Sequence, residues 1–319
     1  MDASTARKVL STEECERRWR AYQMLPGREK LIQSICGFYS SLLGGITQDP
    51  LYFQIPIDDH GFHRGDGVFE AIRVAHRKPY LLTSHLDRLD RSAAHVGLKL
   101  PYTRGEMQSI LFDLARLAEE ESLILRLYLT RGGGGFGVSP QESAGAQFYA
   151  VATKFQVPAA AVWAQGVSLA TSQVPVKAGP FSKIKSLNYL PNVLMKAEAL
   201  KRGFDFAVGF DEQGFVTEGA TENIVIVNHA GELCHPRFEK ILDGCTLRRV
   251  FELAPQLTGL RLKPEVDLTL EDLKRAQEIL LIGTTLDVTP VTRFEERVLI
   301  RGPWSEKLRD LIRTDQLRS

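Results

Sequence analysis

Polar and apolar residues recur along this chain with both strand and helix spacings, so the pattern predicts a mixed structure. Phe38 to Leu43 reads as a strand ended by Gly44-Gly45, and Gly67 to Val74 as a second strand rich in Val, Phe and Ile. Leu86, Leu89, Ala93 and Val96 fall on one helical face. Thr103 and Glu106 have capping-box spacing and open a helix marked by Met107, Ile110, Leu111, Leu114 and Leu117. Leu123 to Thr130 and Gln147 to Thr153 read as strands, with the Gly132 to Gly135 run as a connection between them. Further on, Val167 to Thr171, Ala207 to Phe210, Ile224 to Val227 and Glu278 to Ile282 read as short buried strands. Helices are expected over Asn188 to Arg202, Thr246 to Ala254 and Leu268 to Ala276. Strands and helices mix without strict alternation, which points to α/β or α+β layers in two domains.

The pattern also divides the chain. Residues 1–36 carry many charges and few apolar positions and read as a helical N-terminal extension, broken at Pro26-Gly27. A small α/β domain is expected over 37–156, a linker over 157–165 around Val157-Pro158-Ala159-Ala160-Ala161, and a larger domain over 166–319.

Composition narrows the classes. The 319 residues hold 40 Lys+Arg against 39 Asp+Glu, so no global basic field marks nucleic acid as the partner. No apolar run reaches the ~18 residues that span a bilayer, and the charged N-terminus has no apolar signal core. Four scattered cysteines, without CxxC spacing, argue against a disulfide framework or zinc ribbon and for the cytoplasm. No metal-ligand spacing, nucleophile elbow or Walker loop is present.

Several weaker signals remain. Lys183 and Lys185 flank Ile184 before a helix, and a lysine desolvated there could act through its free amine. Gly244-Cys245-Thr246 opens a helix, where N–H groups and the Thr hydroxyl could hold a phosphate. Gly283-Thr284-Thr285 follows a buried strand and offers more small donors. Arg88 stands off the apolar stripe of its helix, either solvated or facing an anion, and Glu218 is a carboxylate in Thr217-Glu218-Gly219. An amine, phosphate donors, an arginine and a carboxylate are what a pyridoxal phosphate site requires.

The blocks that hold these residues resemble a known family. Asp59 to Arg73 (DHGFHRGDGVFEAIR), His85-Leu86-Asp87-Arg88-Leu89, Lys185 to Leu190 with Asn192, Val216 to Gly219 with Glu222-Asn223, Gly244 to Thr246, and Gly283 to Thr285 with Thr289-Pro290 resemble, in order, the signature of class IV (fold type IV) pyridoxal-phosphate aminotransferases. The resemblance covers roughly Phe38 to the C-terminus and leaves out the extension. It implies a two-domain fold enclosing pyridoxal 5'-phosphate, with the larger domain binding the cofactor, and a homodimer. It implies Lys185 as the lysine that bonds the cofactor and moves the proton, and Glu218 as the partner of the ring nitrogen. Arg88, Cys245, Thr246 and Thr284 then hold the phosphate, and Asn223 joins the cofactor contacts. Substrate contacts fall to Arg64, Phe69, Arg126 and Thr285.

The substrate reading rests on two of these. Leu125-Arg126-Leu127 and the stretch Gly135 to Pro140 resemble branched-chain aminotransferases, but Ile124 stands where those carry a tyrosine, and Arg64 where they carry an aromatic residue. An arginine at both positions resembles a group of D-amino-acid aminotransferases that bind the substrate carboxylate with two guanidinium groups. Arg64 could instead pair with Asp58, Asp59 or Asp66. The expected reaction is transfer of an amino group between an α-amino acid and a 2-oxo acid, with D-amino acids favoured. L-branched-chain amino acids and 4-amino-4-deoxychorismate lyase chemistry are the alternatives.

Overall fold

A computed structural model describes residues 9–118, 120–157 and 160–318. Part of the expected extension and linker, residues 1–8 and Pro158-Ala159, lies outside the described residues. In chain order the elements are helix α1 (Thr12–Gln23), α2 (Arg28–Ser34), strands β1 (Ile35–Ser40) and β2 (Gly45–Thr47), α3 (His60–Arg64), β3 (Gly67–Ala75), β4 (Lys78–Pro79), α4 (Leu82–His95), α5 (Arg104–Arg116), β5 (Leu123–Thr130) and β6 (Gln147–Lys154). There follow α6 (Ala160–Gln165), β7 (Val167–Thr171), α7 (Leu190–Lys201), β8 (Phe206–Phe210), β9 (Val216–Gly219), β10 (Asn223–Val227), β11 (Glu232–Pro236) and α8 (Cys245–Leu253). The chain ends with β12 (Arg261–Val266), α9 (Leu270–Arg275), β13 (Glu278–Gly283), β14 (Asp287–Phe294), β15 (Arg297–Val298) and α10 (Trp304–Arg318).

The first six strands form one antiparallel sheet in the order β2-β1-β6-β5-β3-β4. In β3 the period-two pattern sorts the side chains: Val68, Glu70 and Ile72 are buried toward the helices, whereas Phe69 and Ala71 are half-buried on the other face. Leu86, Leu89 and Ala93 of α4 and Met107, Leu111 and Leu114 of α5 close the helix side into one apolar core. The Thr103–Glu106 capping box forms as its spacing predicts.

The remaining nine strands build a mixed sheet, β12-β11-β10-β13-β14-β7-β8-β9, with β15 on β14. Pairing is parallel at β11–β12, β14–β7 and β7–β8 and antiparallel elsewhere. Helices α8 and α10 bury Leu247, Val250, Leu308 and Ile312 against one part of it.

Strand β3 makes contacts that join the two sheets. The segment after Lys183 runs along the open edge of β3: Phe69 N–H donates to Lys185 O at 2.9 Å and Leu187 N–H to Gly67 O at 2.9 Å. Deeper in, Arg73 Nη1 donates to both carboxylate oxygens of Asp287 at 2.8 Å, with the residues 4% and 1% exposed. At the N-terminus, α1 docks on the body through Trp19 Nε1–H to Pro50 O and an Arg20–Asp49 ion pair.

Three expectations shift. The strand placed at 38–43 runs from Ile35 to Ser40, because Gly37 lets the backbone lie within 2.8 Å (Cβ position) of Leu117 and pair with β6. The second helix of the extension therefore stops at Ser34 rather than Cys36. Ala160–Gln165, expected as linker, is helical.

Candidate active site

A cavity of ≈240 Å³ opens between the sheets and is lined from both. The small sheet supplies Phe69 and Ala71 from β3 and Arg126 from β5, which face the same way because Ala71 pairs with Arg126. The nine-stranded sheet and its loops supply Glu218, Asn223, Cys245, Thr246, Thr284 and Thr285; Arg88 enters from α4 and Lys185 from the edge segment.

Lys185 is held by its backbone. Its N–H donates to Ser92 Oγ at 3.3 Å and its carbonyl receives Phe69 N–H, so the side chain turns inward. Nζ lies 3.4 Å from Tyr189 Oη and 4.5 Å from the centre of the Phe69 ring. Burial, then the positive charge of Arg88, pushes its amine down to about 8, against the pull of Glu70 and Glu218. Lys183 is not part of the cavity lining.

Glu218, in β9, accepts Leu242 N–H at 3.0 Å and a long contact from Asn223 Nδ2 at 3.5 Å. Burial pushes its carboxyl up to about 7, opposed by the Leu242 N–H and by Lys185 and Lys177. No cation lies within hydrogen-bond reach of it among the described residues. Asn223 also donates to Leu242 O at 3.1 Å and fixes that loop. Gly244 follows where a Cβ would come within 2.0 Å of Asn223 Oδ1, so a larger residue there would displace the Asn223 amide.

Arg88 is 5% exposed. Its Nε and Nη2 donate to the two oxygens of Glu70 at 2.7 and 2.8 Å, and Nη1 donates to Asp243 O at 2.9 Å. Glu70 also meets His85 Nδ1 at 2.8 Å. Burial alone would raise the Glu70 carboxyl, but the charge and hydrogen bonds of Arg88, then of His85, hold it well below the usual range. These three bonds use part of a five-donor guanidinium and leave two N–H groups for the cavity.

Arg126 is half-buried and donates through Nη1 to Thr153 Oγ1 at 2.8 Å. Arg64 is elsewhere. It ends α3, is exposed, and gives its guanidinium to three carbonyls: His63 O at 3.0 Å, Gly137 O at 3.1 Å and Phe136 O. It does not line the cavity, nor does it pair with the aspartates. Asp66 binds Arg131 instead, and Asp59 receives Gly61 N–H, Thr130 Oγ1–H and Tyr149 Oη–H. The Gly132 to Gly135 run is laced to α3, with Gly132 O accepting His60 N–H at 3.0 Å. Gly132 has φ +90, and a Cβ there would strike Gly145 O.

The cavity thus gathers Phe69, Arg88, Arg126, Lys185, Glu218, Asn223, Cys245, Thr246, Thr284 and Thr285 and leaves out Arg64. Tyr189, Glu70 and His85 were not singled out in the sequence. Tyr189 stands four residues after Lys185, a spacing that brings it back to the amine, but Glu70 carries no signal before its helix partners are known.

The family model described as Amino-transferase class IV matches residues 67–294. The chain is a class IV aminotransferase. It is 36% identical over 290 residues to "D-amino-acid transaminase, chloroplastic" of Arabidopsis thaliana, spanning 89% of this chain and 77% of the relative. It is 31% identical to a Bacillus licheniformis D-alanine aminotransferase, over 78% of this chain and 86% of the relative. Among solved structures, the branched-chain aminotransferase of Thermoproteus uzoniensis with norvaline superposes with TM-score 0.80 at 28% identity, over 89% of this chain and 95% of that one. The fold is therefore fold type IV and the protein a transaminase.

Class IV aminotransferases use pyridoxal phosphate, and the cavity of this transaminase suits it. A half-buried carboxylate with no cation partner among the described residues, an amine of lowered basicity, and an arginine beside the N-terminus of nine-residue α8 match the three charged parts of that cofactor. Among the described residues no helix is long and apolar enough to cross a membrane, and no His/Cys/Asp/Glu group could hold a metal ion.

Proposed function

We propose that this transaminase exchanges the amino group of a D-amino acid with a 2-oxo acid, with Arg126 receiving the substrate carboxylate. The observation that carries the reading is Arg126 itself. It is a permanent positive charge in the cavity wall, tied by one bond to Thr153 and with its other donors making no hydrogen bond among the described residues. The plant D-amino-acid transaminase and the D-alanine aminotransferases among the relatives support the same choice. The two-arginine form of the site requires Arg64 to exchange the Phe136 and Gly137 carbonyls for the carboxylate.

Pyridoxal phosphate, when bound, supplies the electron-poor ring that stabilises negative charge at the amino acid Cα. The residues around it divide the remaining tasks. Arg88, the N–H groups opening α8 at Cys245 and Thr246, and the Thr246 and Thr284 hydroxyls hold the phosphate. Glu218, ionised, keeps the ring nitrogen protonated, with Asn223 and Leu242 N–H fixing its orientation. Lys185 is the covalent anchor and carries the proton, since an amine titrating near 8 gives and takes a proton at neutral pH. Tyr189 Oη stands beside Nζ and orients it. Phe69 and Thr285 border the substrate space.

L-branched-chain amino acids form the second reading, favoured by the likeness to branched-chain aminotransferases and by the apolar Phe69 and Ala71 next to Arg126. The test is a panel of half-reactions with D-alanine, D-glutamate, L-leucine and L-valine, followed by absorbance of the bound cofactor, with 4-amino-4-deoxychorismate as a third arm. Conversion by the D-isomers supports the reading; conversion by L-leucine alone overturns it. A homodimer belongs to the same proposal, supported by the exposed Ile55, Ile57 and Phe62 ahead of the Arg64 loop and tested by light scattering. So does a reducing compartment such as the cytoplasm, which the four free cysteines suit.

A further inference from the structure

Lys177 lies outside every motif that identified the family, in the segment between β7 and Lys185. Its ammonium has no ion pair or hydrogen bond among the described residues, although the side chain is half-buried. A desolvated ammonium needs compensation. It receives this from the face of Tyr189, whose ring centre is 4.6 Å away. Lys185 Nζ lies 5.7 Å from the same ring centre and within reach of its hydroxyl. One tyrosine ring therefore lies near two lysine ammonium groups. Lys177 also borders, with Glu218 and Thr217, a small cavity behind β9. Thr217 is 1% exposed there and its hydroxyl has no hydrogen-bond partner among the described residues. The other lysine of that cavity, Lys240, is neutralised by Asp211 and Asp267.

We propose that Lys177 is a positioning residue of the transaminase: seated on Tyr189 and bordering the cavity behind Glu218, it contributes a positive charge that acts on both Glu218 and Lys185. The inference rests on the reading of those two as cofactor residues. Its sign is the same at both. A positive charge favours the carboxylate form of Glu218, and it favours the neutral amine of Lys185. The groups facing Lys185 are Arg88 from α4, Glu70 from β3, Glu218 from β9, Tyr189 and Lys177. Arg88 and Lys177 lower its basicity, and the two glutamates raise it. Those facing Glu218 are Lys185, Lys177 and Glu222. Arg88 is bound to Glu70, and Lys177 has no carboxylate partner among the described residues.

The test uses the full-length apoenzyme, so it needs no turnover. Lys177→Met keeps the stem that packs on Tyr189 and deletes the charge; Lys177→Arg keeps the charge. Lysine Nζ and glutamate carboxyl resonances are followed by isotope-edited NMR across the pH range, with Lys185→Ala and Glu218→Gln assigning the two signals. In the Met variant both titrations are expected to move up by roughly half a unit or more, and in the Arg variant to return to wild type. Unmoved titrations in a Met variant with native circular dichroism overturn the proposal. Should that variant fail to fold, Lys177→Gln carries the same expectation and the same overturning result. Turnover retained by Lys185→Ala would overturn the cofactor reading while leaving the titration result intact, so the two failures are distinguishable.

Discussion

The two walls of the cavity are built differently. On the side of the nine-stranded sheet the groups are held by the backbone of one loop: Glu218 by Leu242 N–H, Asn223 by Leu242 O, with Gly244 packed against Asn223 at the start of α8. On the small-sheet side, Phe69, Ala71 and Arg126 stand on strand faces, and the arginine is tied by a single hydroxyl. The first wall suits a resident group of fixed shape. The second suits molecules that come and go, and side chains there can change without disturbing the fold. Arg88 is the exception that links them: it rises from the small-sheet side but is locked as tightly as anything opposite, by Glu70 and Asp243.

Substitutions can break this contrast. Lys185→Ala should cost about 10⁴-fold or more in turnover and eliminate the absorbance of the covalently held cofactor. Retained absorbance would move the role to Lys183. Glu70→Gln leaves Arg88 and His85 without their carboxylate, and should lower unfolding free energy by about 3 kcal/mol in urea titrations while weakening cofactor retention. A Glu70 variant as stable as wild type would remove the claim that Arg88 is locked. Arg126→Ala removes one charge-assisted contact and should raise KM about 10- to 100-fold, with cofactor affinity unchanged. If cofactor affinity falls too, the two walls are not separable.

Acidity tests the rigid wall alone. Lys185 must be neutral to bond the cofactor. Its amine titrates at about 8, so the rate of cofactor loading onto apoenzyme should rise with pH up to that point. Below it the rate should fall about tenfold per pH unit, and more steeply once Glu218, titrating at about 7, also protonates. A rate that goes on rising tenfold per unit well above pH 8, measured by absorbance, would contradict the lowered basicity. Arg64→Ala has the smallest expected effect: a KM increase of about 2- to 10-fold from a loosened 135–140 loop, with cofactor retention untouched. An unchanged KM would leave Arg64 with a purely local role.

What was legible in the sequence follows the same physics. Strands with one helix-covered face, such as β3 and β5, announce themselves by alternation, and α5 by its cap. Strand β14 does not, because it is buried on both faces and carries Pro290 next to a register shift. Strand β12 is exposed and interrupted by Pro264, so it too lacks a period. Of the site, the residues in fixed turns were readable because their neighbours in sequence are constrained as well. Lys177 and Glu70 were not, since each acts through a partner distant in sequence or off the motif. The contacts of Arg64 were not legible for a related reason: a guanidinium in a polar stretch gives no sign that three backbone carbonyls will hold it.

The bidentate Arg73–Asp287 pair has a consequence for how substrate reaches the cavity. It fastens β3 to the start of β14, and Gln316 of α10 adds a further bond to Asp287 at 2.9 Å. A hinge-like swing of one sheet away from the other would have to tear a fully desolvated charge pair apart, at a cost of about 3–5 kcal/mol. The two halves therefore behave as a welded frame rather than a jaw. Amino acids and oxo acids must therefore enter and leave the cavity without a domain swing.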